Sequence, residues 1–264
     1  MFNIKGKDSD KYFQEVEDKL VEETNYDLEI SQSKEIAQSC IHIPNLLFPE
    51  YYDDYSSDRI ITMDFMKGEH LSVFTKYNTD KKKSNQLGQA LWDFYMFQIH
   101  TLKKVHADPH PGNFLVNEDT QLIALDFGCM KSIPNNFYIP YFELSNVNTI
   151  NDPVSFKKKL YELEILTPND TKEELAFFTN MFHELLSVFT LPFHNEIFDF
   201  SNPEFFNKIG ELSESYSKNT ELRKFNANRG SKHFIYINRT FFGLYSLMFD
   251  LKASNVKINQ FKNY

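Results

Sequence analysis

Several features that define common classes of protein are scarce in this sequence. Its two cysteines, Cys40 and Cys129, lie far apart and in no metal-ligand spacing, so neither a disulfide framework nor a zinc ribbon is expected. The 8 glycines and 10 prolines are too few for a collagen-like or low-complexity chain. The longest nearly apolar stretch, Phe241 to Phe249, is far short of the roughly 20 residues that cross a bilayer, and the first residues do not resemble a signal peptide. These absences favour a folded protein of a reducing, cytoplasmic compartment.

Positive charge is also scarce. Lys and Arg number 28 against 37 Asp and Glu, which gives a formal net charge of -9 and a pI near 5.4. This is the wrong sign for long-range attraction to a phosphate backbone, so no nucleic-acid partner is expected. What the chain has in abundance is aromatic residues, 16% of the total with 27 Phe, which is typical of a core built from large flat side chains.

The hydrophobic pattern divides the chain into a helical start, a small amount of sheet and a long helical remainder. Apolar spacing predicts a helix over about residues 10–39, interrupted near Asn25, and a long helix that ends near His100. Strand signals cover residues 59–66, and the two short apolar runs at 114–116 and 122–125 predict a β-hairpin. From about residue 137 onward the pattern is helical, with neither a repeat nor a linker.

The residues that suggest chemistry lie between His106 and Gly128. A loop of sequence HADPHPGN, which contains Asp108 and Asn113, precedes the predicted hairpin, and Asp126-Phe127-Gly128 follows it. Because a hairpin brings its two ends together, Asn113 and Asp126 are expected to share one ligand. Oxygen ligands from a loop and a strand end suit Mg²⁺ bound to nucleotide phosphates.

The order Asp-x-x-x-x-Asn and then Asp-Phe-Gly is similar to the catalytic loop and metal motif of protein kinases. The wording HADPHPGN followed by LDFG resembles the UbiB/AarF family of atypical protein-kinase-like proteins, which is associated with isoprenoid quinone and lipid metabolism. The resemblance implies an α+β, protein-kinase-like fold, mostly the helical C-terminal lobe with a small β-hairpin and a hinge strand. It also implies ATP and Mg²⁺ as cofactors, in ATP hydrolysis or phosphoryl transfer.

Carried over by motif, the resemblance makes Asp108 the catalytic-loop aspartate and Asn113 and Asp126 the metal and nucleotide ligands. Glu23, in an acidic helix, takes the role of the kinase αC glutamate, and Glu29 matches a later Glu of the same motif. An acid in such a helix is otherwise simply a solvated residue. The adenine edge is expected to face the hinge at Asp64, Phe65 and Met66.

Two departures from the kinase pattern affect the interpretation. Ala107 stands where kinases have the arginine of His-Arg-Asp, and no Ala-Pro-Glu follows Gly128, so regulation by activation-loop phosphorylation is not expected. No strand with a phosphate-binding lysine, no glycine-rich or alanine-rich loop and no Lys-x-Gly-Gln element precedes Glu23. The expectation is therefore an N-terminally truncated member, with residues 1–66 as a remnant of the N-terminal lobe and 67–264 as the C-terminal lobe.

Alternative functions stay open at this point. A chain that lacks the phosphate-binding lysine fits a non-catalytic pseudokinase or scaffold, and His106, Asp108 and His110 could instead serve a metal-dependent hydrolase. The resemblance implies a nucleotide partner, a lipid or quinone-precursor ligand and peripheral contact with a membrane, while the oligomeric state is undetermined. Arg229 and Arg239 are expected to pair with carboxylates of the acidic helical region, which the sequence does not identify individually.

Overall fold

The computed structural model of the chain describes residues 24–219, 222, 225 and 229–258, so the predicted Glu23 lies outside the described residues. The α-helices are α1 (Tyr26–Cys40), α2 (Leu71–Tyr77), α3 (Lys81–Phe97), α4 (Asn135–Glu143), α5 (Val147–Asn151), α6 (Pro153–Glu162), α7 (Lys172–Phe189), α8 (Pro203–Lys218) and α9 (Lys232–Asp250). The strands are β1 (Leu46–Leu47), β2 (Glu69–His70), β3 (Lys104–His106), β4 (Phe114–Val116), β5 (Leu122–Ala124), β6 (Met130–Ser132), β7 (Ile197–Phe198) and β8 (Val256–Lys257). The expected α+β content is confirmed.

Helix α1 begins where the sequence predicts an interruption. The side chain of Asn25 accepts a hydrogen bond of 3.0 Å from the backbone N–H of Leu28, which satisfies one of the free donors of the first turn. Ile30, Ile36 and Cys40 bury one face of the helix, and Ile36 and Cys40 belong to the main core. The part of the predicted helix that precedes residue 24 lies outside the described residues.

The prediction of a strand over residues 59–66 is wrong, because these residues do not form a regular strand. These residues form one arm of an exposed ribbon, residues 50–66, held by isolated bridges between Tyr51 and Met63 and between Ser57 and Ile60. Its apolar side chains do not make a buried face, since Ile60 is 59% exposed and Phe65 is 91% exposed. Alternating β-branched residues favour a strand only where a face is buried, which is the reason the pattern misleads here.

The predicted hairpin is confirmed as the centre of a four-stranded sheet with the order β1-β5-β4-β2. Strands β4 and β5 pair antiparallel with Phe114 opposite Ala124, and β1 adds to β5 in parallel. All six hairpin strand residues are buried, so the hairpin is a fixed support for the loops at its ends.

The long helix predicted before His100 is confirmed as α3, with Leu87, Leu91 and Phe94 fully buried. It ends in a π-helical turn over Gln98–Leu102, a distortion that often marks functional sites. The buried Gln98 side chain accepts a hydrogen bond of 2.9 Å from the backbone N–H of His106. The end of α3 is therefore fastened to the start of the HADPHPGN loop.

Among the described residues after 135, the chain is mainly helical as predicted, with one short antiparallel pair formed by β7 and β8. Aromatic side chains fill the interior between α4, α7 and α9, including Phe142, Phe178, Phe182, Phe241 and Tyr245. This packing sets α9 against α3 and against the loop that contains Asp108.

Candidate active site

The two ends of the site are held side by side by backbone pairing. Strands β3 and β6 are antiparallel with His106 opposite Met130, and Ala107 donates a backbone hydrogen bond of 2.9 Å to the carbonyl of Cys129. The segment that enters Asp108 therefore runs beside the segment that leaves Asp126.

The hairpin brings the backbones of Asn113 and Asp126 next to each other. Leu125 donates a backbone hydrogen bond of 3.0 Å to the carbonyl of Asn113, which places Asp126 next to that residue across the hairpin. The Asn113 amide nitrogen donates to the backbone carbonyl of Asp108 at 3.2 Å, and this leaves its amide oxygen to act as a ligand. Asp126 Oδ1 accepts from the backbone N–H of Gly128 at 2.9 Å, so the second carboxylate oxygen can face outward.

Two residues of the motif are part of the core rather than of the ligand surface. Phe127 is 1% exposed and packs its ring against Phe48, Phe94 and His106. The imidazole of His106 is buried in turn, and burial lowers its pKa, so the neutral ring is favoured. The prediction that His106 packs and braces the loop therefore agrees with its position.

Asp108 carries a contact from a distant part of the chain. Arg239, on α9, donates from Nη2 to Asp108 Oδ1 at 2.7 Å, and both side chains remain partly exposed. The sequence predicted a partner for Arg239 within the helical region, and this is wrong, since its partner Asp108 lies in the loop before the hairpin. Arg239 itself carries no sequence signal for this contact beyond its positive charge.

Glu29 is a further acid of the site. A Cβ built on Gly128 would lie 3.5 Å from Asp126 Oδ1 and 3.6 Å from Glu29 Oε2, so the two carboxylates flank this glycine. Burial and then the charge of Asp126 raise the pKa of Glu29 to about 7. Burial likewise raises the pKa of Tyr51 to about 12, while its hydroxyl donates to the carbonyl of Leu125 at 2.9 Å.

The predicted adenine-facing residues lie at the end of the 50–66 ribbon. The carboxylate of Asp64 accepts hydrogen bonds from the hydroxyl of Tyr52 at 2.8 Å and the backbone N–H of Glu50 at 3.2 Å, so this side chain braces the ribbon. Phe65 is almost fully exposed and Met66 is partly buried. The following Gly68 lies close to β4, since a Cβ there would be 2.9 Å from the carbonyl oxygen of Val116.

The histidine-based metal site finds little support in the geometry. His106 is buried against Phe127, and His110 Nδ1 accepts from the backbone N–H of Gly112 at 3.1 Å. Among the described residues, no group of three or more His, Cys, Asp or Glu side chains is placed to hold a metal ion. An amide oxygen and a carboxylate do suit Mg²⁺, which takes one or two protein ligands and completes its shell with phosphates and water.

Comparison with known proteins identifies relatives of this chain. A model of the family described as ABC1 atypical kinase-like domain matches residues 1–158. Protein ACTIVITY OF BC1 COMPLEX KINASE 8, chloroplastic, of Arabidopsis thaliana is 27% identical over 178 residues, which cover 64% of this chain and 23% of that protein. Atypical kinase COQ8, mitochondrial, of Saccharomyces cerevisiae is 28% identical over 171 residues, which cover 60% of this chain and 31% of that protein.

A solved structure shares the fold. The chain in the complex of Rv3197 with erythromycin, from Mycobacterium tuberculosis, superposes with a TM-score of 0.68 at 17% identity, over 94% of this chain and 60% of that one. By contrast, the alignments with the two curated relatives above cover less than a third of the length of either protein. Within the described range, none of the helices has the length and apolar character that a bilayer crossing requires.

Proposed function

The chain belongs to the ABC1 atypical kinase-like family, and this confirms the predicted resemblance to UbiB/AarF proteins. On this basis we propose that its site binds ATP with Mg²⁺ and supports phosphoryl chemistry. The fold is protein-kinase-like. The observation that carries the proposal is the junction of Asn113 and Asp126, made by the hydrogen bond from Leu125 to the Asn113 carbonyl. It supplies two oxygen ligands on a rigid hairpin, beside the carboxylate of Asp108.

Each residue of the junction has a distinct part in this proposal. Asn113 and Asp126 would hold Mg²⁺, and a bound Mg²⁺ would offset negative charge on the phosphates. Asp108 accepts the proton of the attacking hydroxyl, either of water or of an acceptor. Asp64, Phe65 and Met66 offer the ribbon end to the adenine, and Gly68 holds that end close to β4. Glu23, outside the described residues, keeps its proposed role as the αC-like glutamate that would hold a phosphate-positioning lysine.

The wider context is proposed from the relatives. Their names include mitochondrial and chloroplastic proteins, and the resemblance links the family to isoprenoid quinone and lipid metabolism. From the cysteine content of the sequence we propose a cytoplasmic or membrane-surface setting, and from the family resemblance a lipid or quinone-precursor ligand. We also propose that residues 1–66 are a remnant of the N-terminal lobe and that residues 67–264 form the C-terminal lobe.

Thermal unfolding of the 264-residue chain tests the nucleotide site. ATP with Mg²⁺ should raise the midpoint, because a ligand at 100 times its Kd adds about 2.7 kcal/mol to the free energy of unfolding. Asp126→Asn should abolish most of this rise. Asp119→Asn removes the same charge from the opposite end of the same hairpin and should keep the rise. A wild-type midpoint that ATP with Mg²⁺ leaves unchanged would refute the proposal.

A further inference from the structure

The contact between Arg239 and Asp108 joins residues 131 positions apart in the sequence at 2.7 Å. The Arg239 side chain is 62% exposed and that of Asp108 is 44% exposed. An ion pair in such contact with water typically stabilises a fold by about 1 kcal/mol or less. The small gain in fold stability is therefore a weak explanation for the contact between Arg239 and Asp108.

The backbone of α9 is fitted directly against the same loop. Gly243 follows Arg239 by one helical turn, and a Cβ built there would lie 2.4 Å from Pro109 Cγ and 3.1 Å from the Pro109 carbonyl oxygen. A side chain at Gly243 would force the helix away from the loop. Phe241 and Tyr245 are buried on either side of this glycine, so α9 presents Arg239 from a rigid element.

Asp126 adds a second negative charge to the neighbourhood of Asp108. Burial is the main cause that raises the pKa of Tyr95, and the negative charges of Asp108 and Asp126 raise it further. Both also favour the protonated form of His106, whose pKa is lowered overall by its burial. A guanidinium on one oxygen of Asp108 offsets part of this charge and fixes the rotation of the carboxylate, since Arg stays protonated at any working pH.

We propose that Arg239 is a positioning residue that holds Asp108 Oδ1, so that Oδ2 is aimed at the attacking hydroxyl. The role rests on the proposed phosphoryl chemistry. As the hydroxyl oxygen bonds to the γ-phosphorus of ATP, its proton passes to Asp108 Oδ2. The bond from that phosphorus to the β,γ-bridging oxygen breaks, and its electron pair leaves with ADP. Arg239 neither gains nor loses a proton in this step.

Steady-state phosphate release from Mg²⁺ and ATP tests the role in the full chain. Arg239→Gln should lower kcat about tenfold or more and change KM less than about twofold, because orientation of a catalytic group acts on the chemical step. Arg239→Lys keeps the charge and one donor, so it should recover part of the loss. Lys158→Gln removes an exposed cation of another ion pair, 72% exposed on α6, and should match the wild type.

Chemical rescue separates positioning from general structural support. Added guanidinium should restore turnover to Arg239→Ala in a saturable manner and should not accelerate the wild type. Equal kcat values in an active wild type and in Arg239→Gln would overturn the role of Arg239 while the nucleotide site stands. A parallel fall of kcat, KM and melting temperature without rescue would overturn it in favour of a structural contact. A wild type that shows neither turnover nor stabilisation by Mg²⁺ and ATP would instead remove the proposed function itself.

Discussion

The carboxylates of Glu29 and Asp126 flank Gly128, although one comes from helix α1 and the other from the end of the hairpin. Burial, and secondly the negative charge of Asp126, raise the pKa of Glu29 from 4.5 to about 7. The helix and the hairpin therefore meet at a point where one proton is easily taken up or released near neutral pH.

This relationship predicts a pH dependence of stability. Below about pH 4.5 Glu29 is protonated in both the folded and unfolded states, and it imposes no penalty. As the pH rises towards 7, only the unfolded state releases this proton readily, so the free energy of unfolding falls. Glu29→Gln should therefore raise the melting temperature at pH 8 and leave it almost unchanged at pH 4. The gain should be about 1 kcal/mol, discounted for the partial exposure of Glu29.

Melting temperatures of both proteins across this pH range provide the measurement. Glu35→Gln, six residues further along α1 and paired with Lys104, is a matched control and should not show the rise at pH 8. An equal effect of Glu29→Gln at both pH values would contradict the raised pKa.

Removal of the Asp108 carboxylate distinguishes an enzyme from a non-catalytic scaffold. If Asp108 accepts a proton in the chemical step, Asp108→Ala should lower the rate of ATP hydrolysis by about 10²- to 10⁴-fold. Stabilisation by Mg²⁺ and ATP should persist, because Asn113 and Asp126 are retained. Phosphate release and thermal unfolding measure the two effects. Wild-type turnover that never exceeds background, with nucleotide stabilisation intact, would favour the scaffold.

Gly88 marks a close approach inside the core. A Cβ on this glycine of α3 would lie 2.6 Å from the Cβ of Ala253, which is fully buried. Gly88→Ala should therefore lower the free energy of unfolding by about 1–3 kcal/mol, and Ala253→Gly in the same protein should recover part of the loss. Chemical denaturation measures both. Gly210→Ala on α8 meets nothing within 4 Å and should instead stabilise by about 0.5–1 kcal/mol.

Arg229 supports the helical region through a buried pair. Its guanidinium donates to Asp170 Oδ1 at 2.6 Å and lies 4.1 Å from the centre of the Phe178 ring, and the side chains of Arg229 and Asp170 are 7% and 5% exposed. Arg229→Ala should cost about 3–5 kcal/mol, because it leaves the Asp170 carboxylate buried without this partner. Denaturation curves test this, with Lys158→Gln as the exposed counterpart expected to change by less than about 0.5 kcal/mol. Similar losses in both variants would contradict the account.

Helices and strands were predictable where the apolar residues of the sequence pattern are also the buried residues of the structure. Leu87, Leu91 and Phe94 recur at helical intervals, and α3 follows; two apolar runs separated by polar residues become β4 and β5. The pattern misled at residues 59–66, where Ile60 and Phe65 suggest a strand with a buried face but remain exposed. Sequence alternation specifies a strand only together with a surface that covers it.

The sequence alone predicted that Asn113 and Asp126 lie close together, because they stand at the two ends of a short hairpin whose register fixes the distance between them. It could not assign Arg239 to Asp108 or bring Glu29 to Asp126. Those contacts depend on how α9 and α1 pack against the core, across long separations in the chain. Packing of buried aromatic and aliphatic side chains sets the positions of these helices, and the charges they carry then act on the loop.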